Sequence, residues 1–399
     1  MAQKRLLIAA SPGERRLALV AGGKLLAYTI ERPSRPPRVG ALAHARVTAI
    51  APALAGAFLA IAPGESAFLP AEEAEPDRRA GAPAAPIGRS VHVGQAIAVR
   101  IIRAAMGGKG ARATARLSAA EIATATRVAP PAIAAPGEDA ATRFLAQAPE
   151  AIATDDPDLA LSLAARFPAI AGRIAVSAAA PFDDALEEQI EALAEPAVPL
   201  PRGGRLRIGL TAAVTAIDVD TGASGGGSAR TERAAANRAA IAEAARQVAL
   251  RTLSGAIVLD LAGLPGGRGA RSGLVAEAER AFAEAVPEAR VLGLSRLGFV
   301  EIVRPRVHPP LAELLGAPAE GVVLSAETQA LAAFRAALRL AACPGAAPVL
   351  VAAADVVAAA EALPEALAAY AQRAGRPLAL AVERGLPPGA WRVEDARRR

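Results

Sequence analysis

Two apolar runs that each end in an aspartate constrain the fold of this chain more than any other feature. The first, AIDVDTG at 216–222, carries Asp218 and Asp220, and the second, SGAIVLDLAGL at 254–264, carries Asp260. A glycine loop and a helical stretch, EAARQVALR, separate the two runs. This order of strand, helix and strand indicates a layered α/β or α+β domain. The second run is continuously apolar, which is typical of a strand buried on both faces.

Asp218 and Asp260 both lie where a predicted strand gives way to a loop, so their carboxylates can converge. A buried carboxylate is costly unless it is paired, and Mg²⁺ usually takes one or two protein carboxylates. Such an ion activates water for the in-line hydrolysis of a phosphodiester. Asp220 shares a strand face with Asp218, which makes it a second ligand or an orienting group. Helix capping or salt bridges to nearby arginines are the alternatives, and the glycine loop at 222–228 lacks the GK[ST] of a nucleotide-binding P-loop.

Composition excludes several kinds of site. The formal net charge of +6 permits a polyanionic partner. The single cysteine, Cys343, excludes an intrachain disulfide and a cysteine-cluster zinc site. The three histidines, His44, His92 and His308, form no HxxxH spacing. No apolar run is long enough to span a bilayer and no signal-peptide core is evident, so we expect a cytoplasmic protein without a membrane partner.

Short strands separated by turn residues predict a small β-barrel upstream of the aspartates. Phe58 and Phe68 fall on neighbouring strands of this barrel. They either fill its core or form a platform on which bases stack. Lys109 lies in the glycine turn MGGKGAR, which presents a cation to a ligand or simply to solvent. The stretch 119–165 contains a proline-rich loop at 128–139, followed by helical patterns at 141–148 and 156–167. Asp156 is the expected N-cap of the second helix, and the acidic run at 155–158 is interpreted as its solvated start.

Two helices are predicted from apolar periodicity in the second half of the chain. The helix at 231–252 is expected to place Arg238, Glu243, Arg246 and Arg251 on a polar face. A single helix is expected at 355–373, within a smaller α/β unit.

These motifs, taken in order, resemble the bacterial ribonuclease E/G family of endoribonucleases. The similarity lies in AIDVDTG, a glycine loop, Asn237, EAARQVALRTLSG and AIVLDLAGL, followed by SRLGFVEIVRPR. Upstream, ARVTAIAPALAGAFLAIAPGESAFLP resembles the family's inserted S1 domain, and GQAIAVRIIRAAMGGKGA resembles its later strands and lysine turn.

The resemblance implies an α+β multidomain fold. It consists of an RNase H-like subdomain with an inserted S1/OB β-barrel, then a DNase I-like α/β catalytic subdomain, then a small C-terminal α/β domain. The implied boundaries are 1–36 and 166–210 for the two parts of the RNase H-like subdomain, 37–118 for the S1 domain, 119–165 for a reduced 5′-sensor-like region, 211–310 for the catalytic subdomain, and 311–399 for a linker and the C-terminal domain.

The resemblance also implies a function and a set of site residues. The implied function is a Mg²⁺-dependent endoribonuclease that hydrolyses phosphodiester bonds in single-stranded RNA, leaving 5′-phosphate products, in RNA processing or decay. An inactive RNA-binding relative and a metal-dependent phosphodiesterase for small nucleotides are the alternatives. The implied residues are Asp218 and Asp260 as Mg²⁺ ligands, Asp220 as a third catalytic residue, and Phe58, Phe68 and Lys109 as contacts to single-stranded RNA.

This sequence departs from the family pattern at several positions. Asp220 stands where the family usually has asparagine, and Gly263 where it usually has aspartate. The Arg-Thr pair that senses a 5′-monophosphate has no clear match. The CPxCxG zinc link is absent, so we expect no zinc-linked tetramer. The sequence is compatible with a homodimer.

Overall fold

The computed structural model describes residues 3–11, 14–33, 35–75, 85–177, 181–211, 213–220, 229–263, 268–315, 326–341, 343 and 345–398. The chain forms two compact units, Met1–Pro318 and Ala319–Arg399.

The strands of the described residues are β1 (Lys4–Ser11), β2 (Glu14–Ala21), β3 (Lys24–Glu31), β4 (Leu42–Ala51), β5 (Gly56–Ala62), β6 (Glu65–Pro70), β7 (Ala96–Arg103), β8 (Ala111–Thr114), β9 (Ala132–Ala135), β10 (Ala151–Thr154), β11 (Ile174–Val176), β12 (Ala197–Pro199), β13 (Arg205–Leu210), β14 (Val214–Asp220), β15 (Gly255–Asp260), β16 (Arg290–Leu294), β17 (Val300–Arg304), β18 (Pro348–Ala352), β19 (Ala379–Val382) and β20 (Trp391–Asp395). The α-helices are α1 (Ala71–Ala74), α2 (Ile87–Ser90), α3 (Ala119–Ala125), α4 (Ala140–Leu145), α5 (Pro157–Arg166), α6 (Asp184–Glu191), α7 (Ala229–Leu250), α8 (Arg268–Ala285), α9 (Leu311–Leu315), α10 (Ala326–Ala341), α11 (Ala354–Glu361) and α12 (Pro364–Ala374).

The first sheet has the strand order β11-β10-β1-β2-β3. Strands β1, β2 and β3 are antiparallel, and β10 and β11 run parallel to β1. The two helices predicted in the stretch 119–165 are confirmed as α4 and α5, the second with Asp156 as its N-cap, and the stretch also supplies α3, β9 and β10. The short sequence AIAT of β10 has no strand signal of its own and is held by pairing with β1. Helix α3 begins with a capping box between Ser118 and Glu121.

Strands β4–β8 form a closed, OB-like barrel, which confirms the predicted barrel. The order around it is β4-β5-β6-β8-β7, and β7 pairs again with β4 to close the ring. Strands β6 and β8 are parallel, and the other neighbours are antiparallel. Small and aliphatic side chains, such as Val47, Leu59 and Ile101, fill the core.

The third sheet has the order β12-β13-β14-β15-β17-β16, with β14 and β15 parallel. Helices α7 and α8 cover one face, where Ile241 and Phe282 pack against Ile217 and Leu259. The other face, here called the open face, carries exposed residues. The prediction that β15 is buried on both faces was therefore wrong: Ile257 and Leu259 are buried, but Ala256 and Asp260 are exposed.

The second unit contains a three-stranded sheet, β19-β18-β20, and the helices α10, α11 and α12. The predicted single helix at 355–373 is two helices. Pro364 stands at the first turn of α12, where its missing N–H is tolerated, and the interior of a continuous helix would not accommodate it. Among the described residues, no helix is both long and apolar enough to cross a membrane.

Candidate active site

Asp218 and Asp260 are direct neighbours in the third sheet. Strands β14 and β15 run parallel, and their register pairs Asp218 with Asp260. Neighbouring strands lie about 4.8 Å apart, so the two aspartates project side by side. Both are exposed, whereas the preceding residues Ile217 and Leu259 are buried under the helices. The alternation of strand side chains thus brings both carboxylates onto the open face.

Two arginines on β13 lie beside these carboxylates. The register pairs Arg207 with Asp218 and Arg205 with Asp220. The Arg205 Nε donates a hydrogen bond to Asp220 Oδ2 at 2.9 Å, and both side chains are about half exposed. Asp220 therefore matches the salt-bridge alternative. In the described part of the chain, neither Asp218 nor Asp260 forms an ion pair.

The arrangement suits a cation held by two carboxylates. Mg²⁺ commonly takes one or two protein carboxylates and keeps several waters, and Asp218 and Asp260 supply two on one exposed face. Within the described ranges, no group of three or more His, Cys, Asp or Glu side chains is arranged to hold a metal ion. The set that fits is therefore Asp218 with Asp260, and Asp220 stands outside it.

Asn237 holds the loop that follows Asp260. Its side chain lies on the apolar face of α7 and is only 2% exposed. The amide oxygen accepts from the Ala262 N–H at 3.1 Å, and the amide nitrogen donates to the Gly263 carbonyl at 3.2 Å. The sequence motif contains Asn237 but does not indicate this role. A single amide on an otherwise apolar helix face is the sequence feature that could have indicated a buried polar contact.

The C-terminal end of α7 is anchored by Arg251. The prediction that Arg251 lies on an exposed polar face was wrong, because the residue is 7% exposed. Its guanidinium donates to the Glu195 carbonyl at 2.7 Å and to the Gln247 Oε1 at 2.7 Å. Burial lowers its pKa. These bonds connect α7 to the segment that follows α6.

The two barrel phenylalanines form one aromatic surface. Phe58 on β5 pairs in register with Phe68 on β6, and their ring centroids are 5.4 Å apart in an edge-on arrangement. Phe58 is 40% exposed, and the barrel core contains neither ring. A Cβ at Gly56 would lie 2.2 Å from the Phe68 Cζ, so glycine is required there for the Phe68 ring. The two rings thus lie on the outer surface, which is the side available for stacking.

Lys109 lies at the exposed tip of the hairpin between β7 and β8. The Gly107 N–H in the same turn donates to Glu313 Oε2 at 3.1 Å, and Glu313 Oε1 accepts from Arg35 at 2.9 Å. Strand β8, which follows the turn, pairs with β6 beside Phe68. The lysine turn is therefore tethered through Gly107, and the strand that follows it borders Phe68.

The open face with its paired aspartates and the OB-like barrel of the same unit define a class: an α+β protein that combines a pair of exposed carboxylates on a mixed sheet with an OB-like barrel. Comparison with known proteins makes the class specific. The sequence model of the ribonuclease E/G family matches residues 166–307. This segment contains both aspartate strands, and through it the chain is similar to the ribonuclease E/G family.

Individual proteins that are named as ribonucleases are also similar to part of this chain. The chain is 33% identical to the chloroplastic ribonuclease E/G-like protein of Arabidopsis thaliana over 136 residues, which is 33% of this chain and 14% of that protein. It is 36% identical to ribonuclease E of Escherichia coli K12 over 133 residues, covering 32% and 12%. It is 33% identical to ribonuclease G of Salmonella typhimurium over 116 residues, covering 27% and 24%. The match thus spans less than a quarter of each relative, and the barrel lies outside the family match at 166–307.

Proposed function

We propose that this protein is a Mg²⁺-dependent endoribonuclease that hydrolyses phosphodiester bonds in single-stranded RNA. The observation that carries the proposal is the register of Asp218 and Asp260 at the ends of two parallel strands. The family match over the same strands supports it. The expected products carry a 5′-phosphate and a 3′-hydroxyl, and the expected role is RNA processing or decay.

Each side chain of the site has a distinct task in this proposal. Asp218 and Asp260 hold the metal, which when bound supplies an activated water and charge neutralisation at the phosphate. Asn237 keeps the loop after Asp260 in place, which fixes the direction of that carboxylate. Arg207, which is exposed next to Asp218, is placed to contact the phosphate being cleaved.

The barrel presents the RNA strand in this proposal. Phe58 and Phe68 stack on bases, since aromatic rings on OB-type barrels hold single strands without strong sequence preference. Lys109 contacts the backbone from its exposed turn. Because both aromatic rings lie on one surface, a single strand can cover them together.

The test is cleavage of a short, AU-rich, single-stranded RNA in Mg²⁺ and in EDTA. We expect Asp218→Asn and Asp260→Asn each to reduce cleavage at least a hundredfold while leaving RNA affinity in EDTA within about twofold. Phe68→Ala should do the opposite: about ten- to a hundredfold weaker binding, from the loss of about 1–3 kcal/mol of stacking. Cleavage by either aspartate variant at the wild-type rate would contradict the assignment.

A second candidate function, RNA binding without cleavage, is favoured by the ion pair at Asp220. A relative that binds RNA without cleaving it would retain the aromatic surface and neutralise a carboxylate next to the site, as Arg205 does here. This function predicts salt-dependent RNA binding and no cleavage in Mg²⁺. It also predicts that the aspartate substitutions leave RNA binding unchanged. The same cleavage assay therefore decides between the two functions.

A further inference from the structure

Arginines continue the aromatic surface of the barrel towards its β7 edge. The register pairs Phe68 on β6 with Arg112 on β8, and Arg112 with Arg103 on β7. Ala113, the neighbour of Arg112, is buried in the barrel core, so strand alternation places Arg112 on the outer face. Ile101 pairs with Ala113 and is also buried, but a β-bulge between Ile101 and Arg103 shifts the register, so that Arg103 pairs with Arg112. Residues that pair across strands share a face, so Phe68, Arg112 and Arg103 lie on the outer face of the barrel. One aromatic ring and two guanidinium groups thus lie in a row.

A third arginine joins this row from the carboxylate-bearing sheet. The Ala104 N–H donates to the Val307 carbonyl at 2.9 Å, which brings the residue before Val307, Arg306, next to Arg103. The Arg306 guanidinium donates to the Ala213 carbonyl at 3.3 Å. It also lies flat against Gly255, where a Cβ would be 2.4 Å from Nη2. Arg306 is exposed, and these two contacts hold its guanidinium in one place.

The three arginines, here called the arginine junction, have an unbalanced charge. The Nε atoms of Arg103 and Arg112 are buried and have no hydrogen-bond partner among the described residues. Glu72 forms an ion pair with Arg112, but in the described part of the chain Arg103 and Arg306 have no carboxylate partner. Burial lowers the pKa of Arg103, and the charges of Arg112 and Arg306 lower it further. An anion at the junction would relieve this repulsion.

We propose that the arginine junction of Arg103, Arg112 and Arg306 binds one backbone phosphate of a single-stranded RNA whose neighbouring base stacks on Phe68. Guanidinium groups suit a phosphate because their donors are planar and paired. This proposal rests on the RNA binding of the proposed function and adds to it a fixed contact. The contact also has a definite position relative to the cut. Arg306 touches the N-terminal end of β15 at Gly255, and Asp260 is five residues further on, about 16 Å along the strand.

The proposal is tested by the salt dependence of RNA binding. Fluorescence anisotropy with a labelled single-stranded RNA in EDTA gives the slope of log affinity against log salt between about 50 and 200 mM. A single strand loses about 0.7 of slope for each phosphate contact that is removed. We expect this loss for Arg103→Gln and for Arg306→Gln, and the same single loss for the double variant, because all three arginines share one phosphate.

The matched control is Arg280→Gln. Arg280 is on α8, on the other side of the sheet, and its side chain is 76% exposed. This variant removes the same charge and should keep the wild-type slope. Equal slopes for wild type and both junction variants, or a double variant that loses twice the single change, would overturn the shared phosphate contact.

Two further measurements separate folding and ligand identity from the proposal. Arg103→Lys keeps the charge and should keep the slope. Arg103→Gln should change the thermal midpoint little, because Arg103 has no carboxylate partner in the described part of the chain and its bond to the Gly110 carbonyl is 3.4 Å long. Stabilisation by inorganic phosphate that Arg103→Gln abolishes, with unchanged RNA slopes, would instead identify a small-anion site and overturn the proposal. Cleavage in Mg²⁺ is read separately. If the junction variants change the salt slope but the wild-type protein does not cleave RNA, only the proposed function is refuted. If the wild-type protein cleaves RNA but the junction variants keep its salt slope, only this inference is refuted.

Discussion

The ion pair between Arg205 and Asp220 determines how much negative charge the site presents. Asp220 shares the open face with Asp218, two residues away on the same strand. Without Arg205, the site would present a third carboxylate beside the pair of Asp218 and Asp260. With the ion pair in place, position 220 is close to neutral, as it is with the asparagine that the resemblance leads one to expect there.

We therefore expect Asp220→Asn to retain cleavage within about threefold, because its charge is already balanced. Arg205→Gln should lower the Mg²⁺ concentration for half-maximal cleavage, since a free third carboxylate attracts the cation. The double variant should return to wild-type Mg²⁺ dependence. Folding stability should change by less than about 1 kcal/mol in all three, because the pair is half exposed. Loss of cleavage in a folded Asp220→Asn protein would instead make Asp220 a required ligand.

At the scale of elements, helix α7 positions the site through Asn237, which fixes the loop after β15. Removal of that side chain leaves the half-buried Ala262 N–H and the exposed Gly263 carbonyl without these bonds. A hydrogen bond contributes about 0.5–1.5 kcal/mol net, so the two together contribute about 1–3 kcal/mol. The helix therefore supports the site as well as the core.

We expect Asn237→Ala to lower the free energy of unfolding by about 1–3 kcal/mol and to reduce cleavage about tenfold or more. Asn237→Asp keeps the acceptor for Ala262 but turns a carboxylate oxygen towards the Gly263 carbonyl in a buried site, so its effects should be at least as large. Urea unfolding and the cleavage assay measure the two effects. Amide exchange at Ala262 gives the control, because it should quicken in Asn237→Ala and not in the folded Asp218→Asn protein. Unchanged exchange would show that the loop is held by other contacts.

Periodicity in the sequence predicted the elements that carry the site. It located the strands of Asp218 and Asp260, the helix between them, and the barrel strands of Phe58 and Phe68. It could not give strand β10, which is held by a distant partner, or the burial of Arg251, which depends on carbonyls from another segment. Ion pairs between strands, such as Arg205 with Asp220, require the register between β13 and β14, which is set only in the folded chain.

At the scale of the whole first unit, the segment 307–311 joins three parts of the structure. Val307 accepts a hydrogen bond from the barrel, and Leu311 donates one to Arg251 at the end of α7. Between them, the His308 ring accepts a hydrogen bond from Arg143 of α4 at 2.8 Å. The protonation of the His308 ring therefore affects the segment 307–311, which contacts the barrel, α4 and the end of α7.

His308 should make this unit sensitive to mild acid. Burial, together with the nearby charges of Arg143 and Arg304, lowers the pKa of His308 from 6.5 to about 4, against the opposing effect of Glu288. Between pH 6.5 and 4 the unfolded chain binds a proton that the folded chain does not, so stability falls as the pH falls through this window. The loss is on the order of 2–3 kcal/mol, and it is complete near pH 4.

We expect His308→Gln to be less stable than wild type at pH 7.5, because it changes the bond with Arg143, and to lose less stability between pH 6.5 and 4.5. Urea unfolding at several pH values measures this difference, and His92→Gln, which changes an exposed ring, should follow the wild-type curve. Below about pH 4.5 all three proteins should lose stability together, as Asp139 and Glu288, whose pKa values are lowered in the fold, become protonated. Parallel curves for wild type and His308→Gln from pH 6.5 to 4.5 would show that His308 does not carry the acid sensitivity.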